Sequence, residues 1–174
     1  MPTSGMRKQT TTAIRDRIKL RPVAPDDRDF LLDVYEASRE TELSMTPWDA
    51  AQKRTFATHQ FGAQTAHYLE TYPDAAHDII LYNNEPAGRL YVDRGKERIE
   101  ILDVTILPEH HKNGIATAIV KELQSEAAAT DRSLAIYVEK FNPSQKLFGD
   151  LGFIVTEDDG INLRFEWRDP PGKK

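Results

Sequence analysis

Apolar residues recur along this chain with a period that switches between two and about 3.6, and each switch marks a change of element. Residues 18–22 alternate as a short strand. Ala24-Pro25-Asp26-Asp27 then reads as a helix start, after which Phe30, Leu31, Val34 and Tyr35 recur at helical spacing. A second helix is predicted to open at Thr46-Pro47-Trp48-Asp49. Thr46 suits its cap, proline suits the first helical position, and an acid three residues after the cap completes something close to a capping box. This helix should run to residue 69 or so, with Pro73 closing the segment.

From residue 78 the texture is that of strands. Residues 78–82 and 87–92 flank a turn at Asn83-Asn84-Glu85-Pro86, Asp93-Arg94-Gly95-Lys96 makes the next turn, and 98–107 the next strand. Residues 114–129 are strongly helical, with Ile115, Ile119 and Leu123 four apart. A short strand over 134–138 and a short helix over 142–151 follow, with Asn142 as the expected cap, Pro143 just inside and Gly152 just past the end. Residues 153–156 and 161–167 form a last hairpin around Glu157-Asp158-Asp159-Gly160. The order β-α-α-β-β-β-α-β-α-β-β predicts an α/β fold of the mixed α+β kind, and its central hairpins argue against a doubly wound parallel sheet. The length suits one domain over 18–168, with a polar, threonine-rich tail over 1–17 and a short C-terminal tail over 169–174.

Two local patterns carry chemistry. In Ile99-Glu100-Ile101-Leu102-Asp103-Val104-Thr105-Ile106-Leu107, Ile99 and Ile101 alternate in one phase while Leu102, Val104 and Ile106 alternate in the other. A β-bulge between Ile101 and Leu102 would reconcile both halves with one buried face and expose main-chain groups; a strand buried on both faces is the other reading. Pro108-Glu109-His110-His111-Lys112-Asn113-Gly114-Ile115-Ala116-Thr117 then runs into the long helix. A strand, a glycine turn and a helix N-terminus suit a phosphate, because the first-turn N–H groups point outward and the dipole adds about half a positive charge. The plain alternative is a glycine that only permits the turn. Neither a P-loop nor a dinucleotide fingerprint is present.

Composition narrows the classes. The net charge of -5 disfavours nucleic acid as principal partner, and the lack of cysteine removes thiol nucleophiles, disulfides and cysteine metal sites. No apolar run approaches a spanning helix, so no membrane partner is expected and a cytoplasmic location is the default. His59 and His67 lie two helical turns apart, and His110 and His111 diverge, so no metal site is expected. Gln52, Gln60, Gln64 and Tyr68 fall at spacings of four along the second helix, either as an ordinary exposed face or as a recognition row.

His111-x-x-Gly114-x-Ala116, placed after the strand, resembles the acetyl-CoA signature Arg/Gln-x-x-Gly-x-Gly/Ala of the GNAT N-acetyltransferases. Asn142-Pro143-Ser144-Gln145-Lys146-Leu147-Phe148-Gly149-Asp150-Leu151-Gly152-Phe153 resembles that family's second landmark, Asn-x-x-Ala-x-x-Leu-Tyr-x-x-x-Gly-Phe. The resemblance implies a GNAT-like fold, a central mixed, mostly antiparallel twisted sheet of about seven strands flanked by about four helices. It implies acetyl-CoA as co-substrate, with the pantetheine arm beside Val104, Thr105, Ile106 and Leu107. The diphosphate would lie on the amides of Lys112, Asn113, Gly114, Ile115, Ala116 and Thr117 beside His111, with Asn142 and Phe148 along the arm. It further implies transfer of an acetyl group to a primary amine of a small molecule or peptide, by direct attack in a ternary complex. The competing class is a non-catalytic acyl-CoA-binding sensor of the same fold.

The signature's leading residue is His111, and the tyrosine that often protonates the departing thiolate in such proteins is Phe148, so that role falls to water or to another tyrosine such as Tyr137. A lysine-like amine is neutral about one time in a thousand at neutral pH, a cost of roughly 4 kcal/mol, so a base is required. Glu100 is the candidate at the family's position and Asp103 the alternative, either of which could be only a solvent-facing acid. Tyr35, Trp48, Gln60, Gln64 and Tyr68 are expected to wall the acceptor site. Edge strands in such folds pair, which makes a homodimer an expectation.

Overall fold

The computed structural model describes residues 13–171. Its elements are β1 (Ile18–Pro22), α1 (Arg28–Ser38), α2 (Glu40–Ser44), α3 (Ala50–Thr71), β2 (Ala76–Tyr82), β3 (Glu85–Arg94), β4 (Arg98–Ile106), α4 (Ile115–Ala129), β5 (Ser133–Glu139), α5 (Gln145–Asp150), β6 (Ile154–Asp158) and β7 (Asn162–Trp167). The strands make one seven-stranded sheet in the order β1-β2-β3-β4-β5-β7-β6. Only β4 and β5 are parallel; every other pair is antiparallel. This is the mixed, mostly antiparallel sheet flanked by helices that the patterning and the resemblance predicted.

The phase slip is a bulge. Tyr91 pairs with Asp103 and Val92 with Ile101, so Leu102 is the extra residue. One face of the sheet thereby carries Leu90, Val92, Ile99, Ile101, Leu134, Ile136, Val138 and Phe165, packed with Ile115, Ile119 and Leu123 of α4 and with Phe148. The opposite face carries the cross-strand rows His77–Tyr91–Asp103 and Ile79–Arg89–Thr105. α1 packs against β3, β4 and α3 there. The sheet thus has one apolar face and one face rich in polar groups.

Local capping differs from the sequence reading in two places. Asp49, not Thr46, caps α3: its side chain accepts from Gln52 N while the Gln52 side chain accepts from Asp49 N. Thr46 Oγ1 instead donates to Leu43 O at the end of α2, a short helix that the spacing did not predict. Asn142 does not cap a helix directly. Its Oδ1 accepts from Ser144 N, a local turn that delays α5 to Gln145. Within the segment expected as a tail, residues 13–17 form one helical turn, with Arg15 paired to Glu122 of α4; residues 1–12 lie outside the described residues.

Candidate functional site

β4 parts from β5 immediately after the pair Ile101↔Ile136, yet stays paired with β3 as far as Gly88↔Ile106. The extra residue Leu102 causes this, because a bulge bends its strand away from one neighbour. A fork opens between β4 and β5 with its apex at Leu102. Leu107 N donates to Ala87 O on the β3 side. Main-chain groups alternate along a strand, so the amides and carbonyls of Val104 and Ile106 face into the fork, while those of Thr105 face β3. His111 Nε2 donates to Ile106 O at 2.7 Å across the fork's wide end.

At that wide end the chain turns into α4. Lys112 (φ 66°) and Gly114 (φ 76°) both adopt the left-handed conformation, and Gly114 is the residue at the helix cap, without a side-chain capping bond. Asn113 Nδ2 donates to His110 O and braces the turn. The leading N–H groups of α4, through Ala116 and Thr117, have no partner within the helix. The side chain of Ile115 is buried in the core, so only its amide is available to a ligand. Asn142 is exposed at the start of the α5 turn. Phe148 is 1% exposed, with its ring centroid 5.3 Å from Phe153 and 6.0 Å from Phe165. Its ring fills the core, and it has no hydroxyl to give.

Both candidate carboxylates lie on the polar face near the apex, each held by an almost fully buried arginine. Asp103 Oδ2 accepts from Arg89 Nε at 2.5 Å and Oδ1 from Thr105 Oγ1 at 2.9 Å. Arg89 also donates Nη2 to Gln64 Oε1 at 2.5 Å and lies over the Phe61 ring. Glu100 Oε1 accepts from Arg164 Nη2 at 2.7 Å, and Glu100 Oε2 has no hydrogen-bond partner among the described residues. Arg164 stands 4.9 Å from the centroid of Tyr137, whose hydroxyl donates to Glu157 and whose side chain is half exposed.

Tyr68 reaches the apex from α3, its hydroxyl donating to Leu102 O at 3.0 Å. Burial, reinforced by the charge of Asp103, pushes its phenol up to about 12. Its ring meets Tyr91 edge-on at 5.1 Å, and Tyr91 stacks on His77 at 4.2 Å. His77 Nε2 is buried without a partner among the described residues, and burial first, then the charge of Arg89, pulls this imidazole down to about 4. Tyr72, at the end of α3, is raised by burial and then by the nearby charges of Glu100 and Asp93.

The expected acceptor wall is only partly assembled. Gln64 and Tyr68 turn toward the sheet, whereas Gln60 is exposed on α3 and Gln52 serves the cap. Tyr35 is buried against Phe61 with Arg39 above its ring, and Arg39 reaches Glu139 at 2.5 Å, tying the end of α1 to the end of β5. Trp48 packs on Phe56 ahead of α3 and remains partly exposed. Sequence reasoning missed Arg89, Arg164 and His77. Arg89 carried a signal, a charge within the apolar run from Ala87 to Val92, whereas Arg164 lies in the regular alternation of β7 and His77 beside Asp78 at the start of β2, where a polar residue marks nothing. A groove of about 830 Å³, lined by apolar Leu20, Leu90 and Ile119 and by charged Arg94, Glu122 and Glu126 among others, lies between α4 and the sheet, away from Glu100, Asp103 and the fork. Among the described residues no three His, Asp or Glu side chains come together as metal ligands, and no helix is long and apolar enough to cross a membrane.

The acetyltransferase (GNAT) family model matches residues 34–153. No curated protein sequence matches significantly. Among solved structures, the chain is similar to the PaiA N-acetyltransferase from Thermoplasma acidophilum in complex with coenzyme A, at 15% identity and a TM-score of 0.66, over 87% of this chain and 99% of that one. It is similar to an acetyltransferase from Thermus thermophilus at 20% identity and a TM-score of 0.64, over 87% and 97% of the two chains. A GNAT family acetyltransferase from Elizabethkingia anophelis with acetyl-CoA bound shares 18% identity and a TM-score of 0.57, over 88% and 99%. At these identities the likeness shows the fold, and the family model spans the bulged strand, the glycine turn and the α5 landmark together. The chain belongs to the acetyltransferase (GNAT) family.

Proposed function

We propose that the chain transfers an acetyl group from acetyl-CoA to a primary amine of a small molecule or peptide, by direct attack in a ternary complex. The observation that carries this reading is the fork: β4 leaves β5 at Ile101↔Ile136 and leads straight into the uncapped N-terminus of α4. The fork offers the Val104 and Ile106 main-chain groups to an amide-bearing arm. Each such hydrogen bond is worth only about 0.5–1.5 kcal/mol net, so they orient the arm more than they hold it. The amides of Lys112 to Thr117 suit a diphosphate, with His111 free to swing from Ile106 O and Asn142 beside the arm. Acetyl-CoA supplies an activated acyl group on sulfur.

The amine reaches the apex from the polar face, where Glu100 is better placed than Asp103 to receive its proton. Glu100 keeps Oε2 free, while both oxygens of Asp103 are engaged. No cysteine exists to carry an acyl intermediate, which supports direct attack.

Calorimetric titration with acetyl-CoA of the wild-type protein and a Gly114→Glu variant tests the reading. The variant sets a carboxylate beside the expected phosphates, at a φ of 76° that disfavours any side chain. Micromolar binding by the wild type, lost in a variant whose circular dichroism is unchanged, is expected. Wild-type protein that does not bind would overturn the reading. Binding without CoA release toward any amine would favour a non-catalytic sensor.

A further inference from the structure

Acyl transfer from a thioester breaks a C–S bond and leaves charge on sulfur, so a proton donor near that atom lowers the barrier. Phe148 has no proton to give. Tyr137, the first β5 residue beyond the Ile101↔Ile136 pair, also stands beside the apex, but its hydroxyl is turned to Glu157 and its side chain is half exposed. One further hydroxyl is held at the apex itself. Tyr68 Oη lies 3.0 Å from the carbonyl of Leu102, the bulge residue at which β4 and β5 part.

The direction of the arm follows from the fork. A diphosphate seated at the Gly114 turn marks its wide end, and the arm then runs back past Ile106 and Val104. Its sulfur end therefore arrives at the apex, beside Leu102. We propose that Tyr68 is the proton donor to the departing sulfur, an assignment that rests on the acetyl-CoA reading above.

The phenol is suited to it. It is half-buried and packed edge-on against Tyr91, so its ring is fixed while the O–H rotor is free to turn. Burial and Asp103 keep the hydroxyl protonated well past neutrality. The charged and titratable groups that face it are Asp103, Arg89, Tyr72 and Tyr91. As the amine nitrogen bonds to the acyl carbon and the C–S pair moves onto sulfur, the hydroxyl turns from Leu102 O and gives its proton to sulfur. The product is the free thiol, and the phenolate recovers the proton that the amine nitrogen loses on becoming an amide, through solvent or the carboxylate that received it. The overall reaction consumes no external acid.

The test compares wild type with Tyr68→Phe, a change that removes one oxygen and keeps the ring. Calorimetry across pH 7 to 10 measures the affinity for CoA and for a CoA analogue lacking sulfur. The protein has no thiol of its own, so thiol ionisation in the complex belongs to the ligand. In the wild type, donation from Tyr68 should stabilise the bound thiolate and lower the ligand thiol's pKa by about one unit relative to the variant. The sulfur-free analogue should bind both proteins within about twofold, and kcat with an amine acceptor should fall on the order of 100-fold or more with KM for acetyl-CoA little changed. Equal thiol pKa values in the two proteins would overturn the assignment. So would parallel loss of affinity for CoA and for its sulfur-free analogue, which would mean that Tyr68 only pins the bulge. Failure of wild-type protein to bind CoA at all would overturn the acetyl-CoA reading and this assignment with it.

Discussion

The two buried arginines set the character of the polar face residue by residue. Arg89 is 2% exposed and can be tolerated there only because Asp103, Gln64 and the face of Phe61 take up its charge and donors. Removing one member of such a pair leaves the other charge uncompensated, a loss of about 3–5 kcal/mol. Arg89→Met should therefore lower the urea midpoint by that equivalent, because Asp103 is stranded between β3 and α3. The double variant Arg89→Met/Asp103→Leu should recover most of the loss, since an apolar pair of similar volume is often neutral or better. Equal destabilisation in the single and double variants would show that the cost comes from packing around Phe61 and not from the stranded charge. This arrangement was only half legible in the sequence. A charged residue between Gly88 and Leu90 marks a special position, but its partners come from α3 and β4, and strand register over that range is not written in local spacing.

At the scale of elements, the bulge and the turn shape the candidate site, and the sequence offered each as one of two readings. Ile101 followed directly by Leu102 breaks a period of two, and only an extra residue can restore a single buried face. Gly114 stands where strand gives way to helix, and its φ of 76° lies in the left-handed region that glycine adopts without cost. The caps were less legible. Both Thr46 and Asp49 are good capping residues, and the choice fell to Asp49 because Gln52 lies three residues beyond it while Thr46 is engaged by the end of α2. A second glycine, Gly88, is set by the approach of two strands and not by any local pattern. A Cβ on Gly88 would lie 2.0 Å from Thr105 O, so β3 approaches β4 here more closely than any side chain allows. The contact is with backbone, which cannot swing aside. Gly88→Ala should push β4 off β3 on the side away from the fork, with a loss of about 1–3 kcal/mol and weaker acetyl-CoA binding together. Thermal unfolding and calorimetry on the same sample check this; lost stability with undiminished binding would show that the fork does not depend on the β3–β4 approach.

For the whole molecule, the charged groups on the polar face and beneath its entry divide acid sensitivity into two windows. His77 is held neutral against Tyr91, facing Arg89, Asp103 and Asp27, with its folded pKa near 4 against an ordinary value of 6.5. Between those values the unfolded chain binds the proton and the folded one does not. Stability therefore rises with pH across that window, and is lost as pH falls from 6.5 toward 4. Asp27 behaves in a lower range. Arg21, in a two-pronged pair at 2.8 Å, and Ala24 N hold its carboxyl down at about 2. Its contribution is present above the ordinary carboxylate value and is lost as pH falls through 4 toward 2. The pair locks the turn after β1 to the start of α1, so its loss frees the N-terminal edge of the sheet, whereas protonating His77 forces a charge beneath α3. His77→Phe should keep the stack on Tyr91 and flatten the melting temperature between pH 6.5 and 4, leaving the fall below pH 4 in place. Asp27→Asn should do the reverse: lower stability at pH 7, and a difference from wild type that closes as pH approaches 2. Melting curves of the three proteins from pH 7 to 2 separate the windows. If His77→Phe followed the wild-type profile throughout, His77 would not be the source of the acid response above pH 4.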